Sequence, residues 1–213
     1  MTPGCGTLNG PDAAVIQTGT ANMASIMAGL RRAGAAPRPA IDPLDVLNAA
    51  FAVLPGVGSF GAAMQRLRAD GMVEALRERI ARRRPLLAIC AGMQVLAAAS
   101  EESPRCEGIG IVESTVRRYR GDVRVPQIGW NRVSAGECTL LTGGCAYFAN
   151  SYRLAAAPTG AVSAMSEYGG PFVAAFEMAG GSLLACQFHP ELSGAWGLEL
   201  LRRWMDGHGG AAC

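Results

Sequence analysis

Through the first hundred residues, short unbroken apolar runs alternate with apolar stripes at helical spacing, and short alternating pieces take over after Ser100. Ala13-Ala14-Val15-Ile16 reads as a buried strand, closed by a turn at Thr18-Gly19-Thr20. Met23, Ile26, Met27 and Leu30 then fall at i, i+3, i+4 and i+7, one face of a helix. Arg31, Arg32 and Gly34 mark its end, since cations and a left-handed glycine both suit a helix C-terminus. Pro37 to Pro43 reads as a proline-rich connection, and Ala49–Leu54 as a second buried strand broken by Pro55-Gly56. Met72, Val73, Leu76 and Ile80 predict another amphipathic helix. The run Pro85–Ile89 ends at Cys90, and Met93, Leu96 and Ala97 predict a helix after it. Later pieces around Ile109–Val112, Asn131–Val133, Ala146–Phe148, Val162–Met165 and Phe172–Phe176 read as antiparallel strands between polar turns. Leu183–Phe188 returns the chain to the core, and Ser193 is expected to cap a last helix through Trp196, Leu200, Leu201 and Trp204. The fold class expected is α/β: a three-layer, flavodoxin-like sheet with helices on both faces and a β-rich second half.

Composition narrows the function classes. A length of 213 residues, half of them hydrophobic, fits one domain with an ample core. We expect a disordered leader over 1–12, a single domain over 13–207 and a flexible tail over 208–213. A net charge of +2 gives no nucleic-acid footprint. Arg82-Arg83-Arg84 suits a helix end, whereas Arg117-Arg118-Tyr119-Arg120 reads as an exposed loop or part of a partner surface. Seven cysteines without CxxC spacing, beside only two histidines, support neither a zinc site nor a disulfide scaffold, and suggest a reducing compartment. The N-terminus lacks the pattern of a signal peptide, and no apolar stretch is long enough to span a bilayer. The protein is therefore expected to be cytoplasmic, with no membrane association.

Candidate chemistry centres on Cys90. A side chain at a sharp strand-to-helix turn projects from the sheet edge, and small neighbours let a substrate approach it. The first amides of the following helix favour the thiolate. A buried cysteine is otherwise an inert small hydrophobe, so a base must be found. His208 sits in a glycine-rich terminus, but His189 closes an apolar run and is followed two positions later by Glu191. A strand's carboxyl end faces the crevice where open α/β sheets place ligands. Cys90, His189 and Glu191 thus form a nucleophile, base and orienter set. Gly56-Val57-Gly58-Ser59-Phe60-Gly61 matches G-x-G-x-x-G, but no acidic residue closes the next strand, so no dinucleotide cofactor is expected. The loop reads better as amide donors for a developing oxyanion, or simply as a glycine-dependent turn.

Ala88-Ile89-Cys90-Ala91-Gly92-Met93-Gln94, with Pro55-Gly56-Val57-Gly58 upstream and Gln187-Phe188-His189-Pro190-Glu191 downstream, resembles the triad-type, class I glutamine amidotransferases. Within them, Thr18–Asn22, Ser100–Ser103, Ile128–Val133, Tyr168–Phe172 and Phe188–Gly194 resemble the glutaminase subunits of imidazole glycerol phosphate synthase. The resemblance implies that Cys90 attacks the carboxamide of L-glutamine, His189 moves the proton and Glu191 orients it. It implies that the amides of Val57 and Ala91 hold the oxyanion, and that Gly58, Gln94, Glu102, Ser151 and Tyr152 grip the substrate. It also implies ammonia transfer to a separate (β/α)8-barrel cyclase subunit in a heterodimer, with no cofactor and no metal. Gln17 stands where such proteins commonly have Asp, Asn150 where they have His, and Leu192 where a basic residue is frequent. The other readings are a glutaminase of another synthase, such as that for pyridoxal phosphate, a stand-alone cysteine hydrolase, and a non-catalytic interaction protein. The remaining cysteines, Cys5, Cys106, Cys138, Cys145, Cys186 and Cys213, are expected to be dispensable for chemistry.

Overall fold

The apolar runs become strands buried on both sides, and the helical stripes cover them. The computed structural model describes residues 10–19, 22–56 and 58–208. In order come β1 (Asp12–Ile16), α1 (Met23–Ala33), β2 (Ala36–Ala40), α2 (Pro43–Asn48), β3 (Phe51–Leu54), α3 (Phe60–Ala69), α4 (Met72–Ala81), β4 (Leu86–Ile89) and α5 (Ala91–Gln94). The second half holds β5 (Ala97–Ser100), β6 (Val112–Arg118), β7 (Gln127–Val133), β8 (Gly144–Asn150), β9 (Tyr152–Leu154), β10 (Val162–Glu167), β11 (Pro171–Met178) and β12 (Leu183–Cys186). A 3-10 turn at Pro190–Leu192 and α6 (Gly194–Asp206) complete the described fold.

A seven-stranded sheet runs β10-β11-β12-β4-β3-β1-β2. It is parallel from β12 to β2 and antiparallel where β10 and β11 extend it. The parallel part has the flavodoxin-like winding expected. β1 displays the layering directly. Ala13 and Val15 pack with Ile26 and Leu30 of α1 and with Leu200, Leu201 and Trp204 of α6. Ala14 and Ile16 turn to the other face, toward Val46 of α2, Met64 and Leu67 of α3 and Leu76 of α4. A strand covered on both faces has no polar side to present, which is why its sequence is a continuous apolar run. The β-rich half adds a three-stranded sheet, β5-β6-β9, and the hairpin β7-β8.

Four local expectations are corrected. The proline-rich stretch is an element, not a connection: β2 pairs with β1 from Asp12↔Ala36 to Ile16↔Ala40. It lies at the sheet edge, where proline costs no ladder bond. Asp42 then caps α2, accepting from the amides of Leu44 and Asp45, with Pro43 in the first turn. The strand expected over Ala49–Leu54 begins at Phe51 and is the third in chain order. The helix predicted through Met93, Leu96 and Ala97 stops at Gln94, and Ala97 opens β5. Amides of residues 108–112 bond the carbonyls of Val95, Leu96, Ala97 and Ala98, so the helix loses its acceptors to a sheet-like pairing. Finally, α3 has no counterpart in the sequence analysis. Phe60, Ala63, Met64 and Leu67 do fall at helical spacing and are buried, but they follow directly on the glycine-rich run.

Of the expected leader and tail, residues 1–9 and 209–213 lie outside the described residues. Asp12 belongs to β1, where its carboxylate meets the Arg38 guanidinium at 2.9 Å. Among the described residues, no helix is long and apolar enough to cross a membrane.

Candidate active site

Three neighbouring strands deliver three loops to one end of the sheet. β4 pairs in parallel with β12, Ile89 opposite Cys186, and with β3 on its other side, Ala88 opposite Leu54. The residues that follow these strand ends, Cys90, Gln187 and the loop from Pro55, therefore emerge side by side, with His189 two positions beyond Gln187.

Cys90 sits at φ +54° and ψ −111°, a backbone region that L-residues rarely adopt. Its amide donates to the Cys186 carbonyl at 2.7 Å, fixing the elbow to β12. The strain aims the side chain off the sheet, the geometry of a nucleophile turn. Close backbone approach makes it possible. A Cβ on Gly92 would stand 2.0 Å from the Leu54 carbonyl oxygen, and one on Gly56 would stand 2.2 Å from the Gly92 nitrogen.

His189 is held through its backbone. Its amide donates to the Tyr147 carbonyl at 2.9 Å. Ser193 Oγ donates to the His189 carbonyl at 2.6 Å and accepts from the Tyr147 amide at 3.0 Å. That hydroxyl is engaged there and makes no cap bond to α6, contrary to its expected role. The imidazole Nδ1 lies 2.9 Å from Glu191 Oε1, and both side chains are nearly fully buried. Burial alone disfavours the imidazolium. Interactions with the Cys90 sulfur and the Glu191 carboxylate outweigh it and raise the His189 pKa to about 10. The other imidazole nitrogen is thereby left for the Cys90 side.

A cavity of about 190 Å³ opens beside the sulfur. Eight of the expected site residues line it: Gly58, Cys90, Ala91, Gln94, Glu102, Ser151, Tyr152 and His189. Glu191 stands behind His189, and Val57 lies outside the described residues. Ala149 and Asn150 also line the cavity without having been expected to do so. Several of the expected residues already have protein partners. Gln94 Nε2 donates to the Tyr152 carbonyl at 2.8 Å and to Gln187 Oε1 at 3.0 Å. Glu102 accepts from the Phe60 amide at 2.6 Å, and Ser103 Oγ from the Gly61 amide at 3.1 Å, so the pair caps α3 from outside. The Ala91 amide donates to the Gly56 carbonyl at 3.3 Å. It can serve a developing oxyanion only when that carbonyl turns away.

Gln187, buried completely, was missed as a site residue. Its Nε2 donates to Cys90 Sγ at 3.7 Å. The signal was its place one residue past a buried strand, where a polar side chain has no core reason to be. Asn150 Nδ2 donates to the Tyr119 hydroxyl at 3.0 Å and the Tyr152 carbonyl at 2.9 Å. Tyr119 in turn donates to Gln127 Oε1 at 3.0 Å. The basic cluster at 117–120 is thus interrupted by a buried tyrosine, and Arg117 and Arg120 approach Glu101 at 3.9 and 3.2 Å. Gln17 is exposed, as are Leu192, Ile128 and Trp130.

The model of the family Glutamine amidotransferase class-I matches residues 42–206. The chain is 43% identical over 197 residues to imidazole glycerol phosphate synthase subunit HisH of Herpetosiphon aurantiacus, covering 91% of this chain and 93% of that one. It is 44% identical over 199 residues to a subunit HisH of Thermus thermophilus, covering 91% and 98%. A solved glutamine amidotransferase superposes with a TM-score of 0.75 at 19% identity, covering 92% of this chain and 98% of that one, which speaks to the fold. With the sheet, the elbow and these relatives in agreement, the chain belongs to the class I glutamine amidotransferase family, in its imidazole glycerol phosphate synthase HisH group.

Proposed function

We propose that Cys90, His189 and Glu191 hydrolyse L-glutamine and that the ammonia passes to a cyclase subunit of imidazole glycerol phosphate synthase, in histidine biosynthesis. The observation that carries this reading is the alignment of the buried His189–Glu191 pair with the strained Cys90 at the wall of one cavity.

The cysteine sulfur attacks the carboxamide carbon of glutamine, and negative charge gathers on its oxygen. The Ala91 amide and, by resemblance, that of Val57 receive this charge once the Gly56 carbonyl has moved. A single such donor contributes about 3–4 kcal/mol to lowering the barrier. His189, kept protonated beside Glu191, gives its proton to the nitrogen as the C–N bond breaks, and ammonia leaves a thioester on Cys90. Water then attacks the thioester carbon while His189 takes up a proton, and glutamate departs. Gly58, Glu102, Ser151 and Tyr152 hold the amino-acid end of the substrate. Arabidopsis thaliana contains a protein named imidazole glycerol phosphate synthase hisHF, 33% of whose length this chain matches, at 36% identity. A match to part of a longer synthase chain supports work beside a second unit, the (β/α)8-barrel cyclase. Free thiols at Cys90, Cys106, Cys138, Cys145 and Cys186 support a cytoplasmic site of action.

The test is glutamate release by the purified chain, alone and with the cyclase subunit and its ribonucleotide ligand. Strong stimulation by the pair is expected. Full turnover alone would assign a stand-alone hydrolase, and stimulation only by a different synthase would assign another glutaminase.

A further inference from the structure

Gln187 places a polar group at the sulfur that the reaction scheme above does not use. A fully buried carboxamide costs several kcal/mol unless its donors and acceptor are all met. Here the orientation is fixed by elimination. Gln94 Nε2 faces the Tyr152 carbonyl oxygen, which can only accept, so that Gln94 atom must be the nitrogen. The same nitrogen faces one end of Gln187, which must therefore be its oxygen. The Gln187 nitrogen is left to point at Cys90 Sγ, 3.7 Å away. Among the described residues that sulfur is its hydrogen-bond partner. A neutral thiol is a weak acceptor and leaves the amide poorly satisfied, whereas a thiolate is a strong one.

We propose that Gln187 is a positioning residue for the nucleophile: its carboxamide, oriented by Gln94 and the Tyr152 carbonyl, holds Cys90 Sγ in line and offers an N–H to the charged sulfur. The inference deepens the proposed glutaminase reading and rests on Cys90 being its nucleophile. It also links the cavity wall to the sulfur, because Gln94 and Tyr152 border the cavity that Gln187 itself does not line. A ligand that pulls on Gln94 thereby acts on the donor at the sulfur.

Two variants separate positioning from packing. Gln187→Met keeps the volume and removes the donor. Gln187→Glu keeps the shape and the acceptor toward Gln94 but replaces the donor by a carboxylate facing sulfur. Alkylation of Cys90 by iodoacetamide is followed against pH by mass spectrometry of its peptide, alongside kcat and KM for glutamine in the cyclase complex. In Gln187→Met the alkylation profile is expected to move to higher pH, with kcat down roughly tenfold, as for loss of one bond to a charged group, and KM little changed. Gln187→Glu should move the profile further in the same direction. Profiles that superpose on the parent in folded variants would overturn the proposal, as would a kcat loss matched by an equal loss of folded protein. If the parent chain releases no glutamate even with the cyclase subunit and its ribonucleotide ligand, yet its Cys90 profile still depends on Gln187, the glutaminase reading fails while the Gln187 contact with the sulfur is upheld.

Discussion

A Cβ on Gly29 of α1 would stand 3.0 Å from the Glu191 Cβ and 3.4 Å from its Cα. The bare backbone of one helix thus sets how deeply the acid behind His189 can sit, and Arg32 on the same helix reaches the Glu191 carbonyl at 3.4 Å. Gly29→Ala forces Glu191 to give by a few tenths of an ångström. Glutamate release is expected to fall several-fold with little loss of stability, since misplacing a catalytic group by about 1 Å costs roughly a hundredfold. Gly29→Val, which adds two methyls beyond that Cβ, should lose more than about tenfold in kcat. Steady-state kinetics beside thermal melts of both variants check this.

The layers and the sharp turn at Cys90 were legible because each rests on local chemistry. A parallel strand covered on both faces leaves an apolar run, as at Ala13–Ile16, and a nucleophile elbow leaves small residues after Cys90. What was not legible depends on partners distant in sequence. Pro37 and Pro39 look like a linker until β1 is known to pair on their inner side. Ser193 looks like a cap until Tyr147 and His189 claim its hydroxyl. Gln187 looks like one more strand-end residue until Gln94, 93 positions away, fixes its rotamer.

The elbow should store measurable strain. At φ +54° and ψ −111° a glycine is at ease, whereas a residue with a Cβ is strained. Cys90→Ala is expected to abolish glutamate release while the chain still folds and binds its partner. Cys90→Gly should be equally inactive yet more stable than Cys90→Ala by about 1 kcal/mol, from relief of the backbone. Urea midpoints of the two inactive variants decide the matter. Activity retained by either one rejects Cys90 as nucleophile.

The His189–Glu191 pair ties stability to pH. Although burial opposes it, the folded-state pKa is raised from 6.5 to about 10 by Cys90 and Glu191. The folded chain therefore binds this proton more tightly than the unfolded chain. The stabilisation is fully present below about pH 6.5 and is lost as pH rises toward 10. Glu191→Gln removes one of the two raising partners and should flatten the decline across that window. Urea unfolding at about pH 6, 8 and 10 compares the slopes; equal slopes in parent and variant would show that the pair contributes nothing to folding.

Far from the site, Arg79 is fully buried, and among the described residues its partners are backbone carbonyls rather than carboxylates. Its guanidinium donates to the carbonyls of Val46, Ala49, Ala50 and Pro85 at 2.5 to 3.0 Å. Burial pulls its pKa down to about 10, with Arg84 adding repulsion. This one side chain closes the C-terminal end of α2 onto the starts of β3 and β4. Five donors in a rigid fork match four carbonyls, and an ammonium cannot. Arg79→Met leaves those oxygens buried and unpaired, and is expected to cost about 3 kcal/mol or more. Arg79→Lys should recover only part of this. Both losses should appear in urea midpoints with kcat near that of the parent at temperatures where the chain stays folded.

Gly92 offers the sharpest steric test of how the site is assembled. Its missing Cβ is what lets the first turn of α5 lie against the end of β3, where the obstacle would be the Leu54 carbonyl at 2.0 Å, backbone that cannot rotate out of the way. A Cβ on Gly56 would in turn stand 2.2 Å from the Gly92 nitrogen. The two glycines interlock the end of β3 with the elbow, and neither has a positive φ that would explain it otherwise. Gly92→Ala must therefore push α5 away from β3, carrying the Ala91 amide and Cys90 off their positions together. A cost of about 2 kcal/mol or more, typical of overpacking against rigid neighbours, is expected in urea unfolding. Glutamate release should drop by about a hundredfold or more in whatever fraction remains folded, because the nucleophile and oxyanion donor of the proposed reaction would be displaced at once. Gly34→Ala, at φ +107° with open space around it, is the control: it strains the backbone at the end of α1 and should lower stability while leaving kcat unchanged.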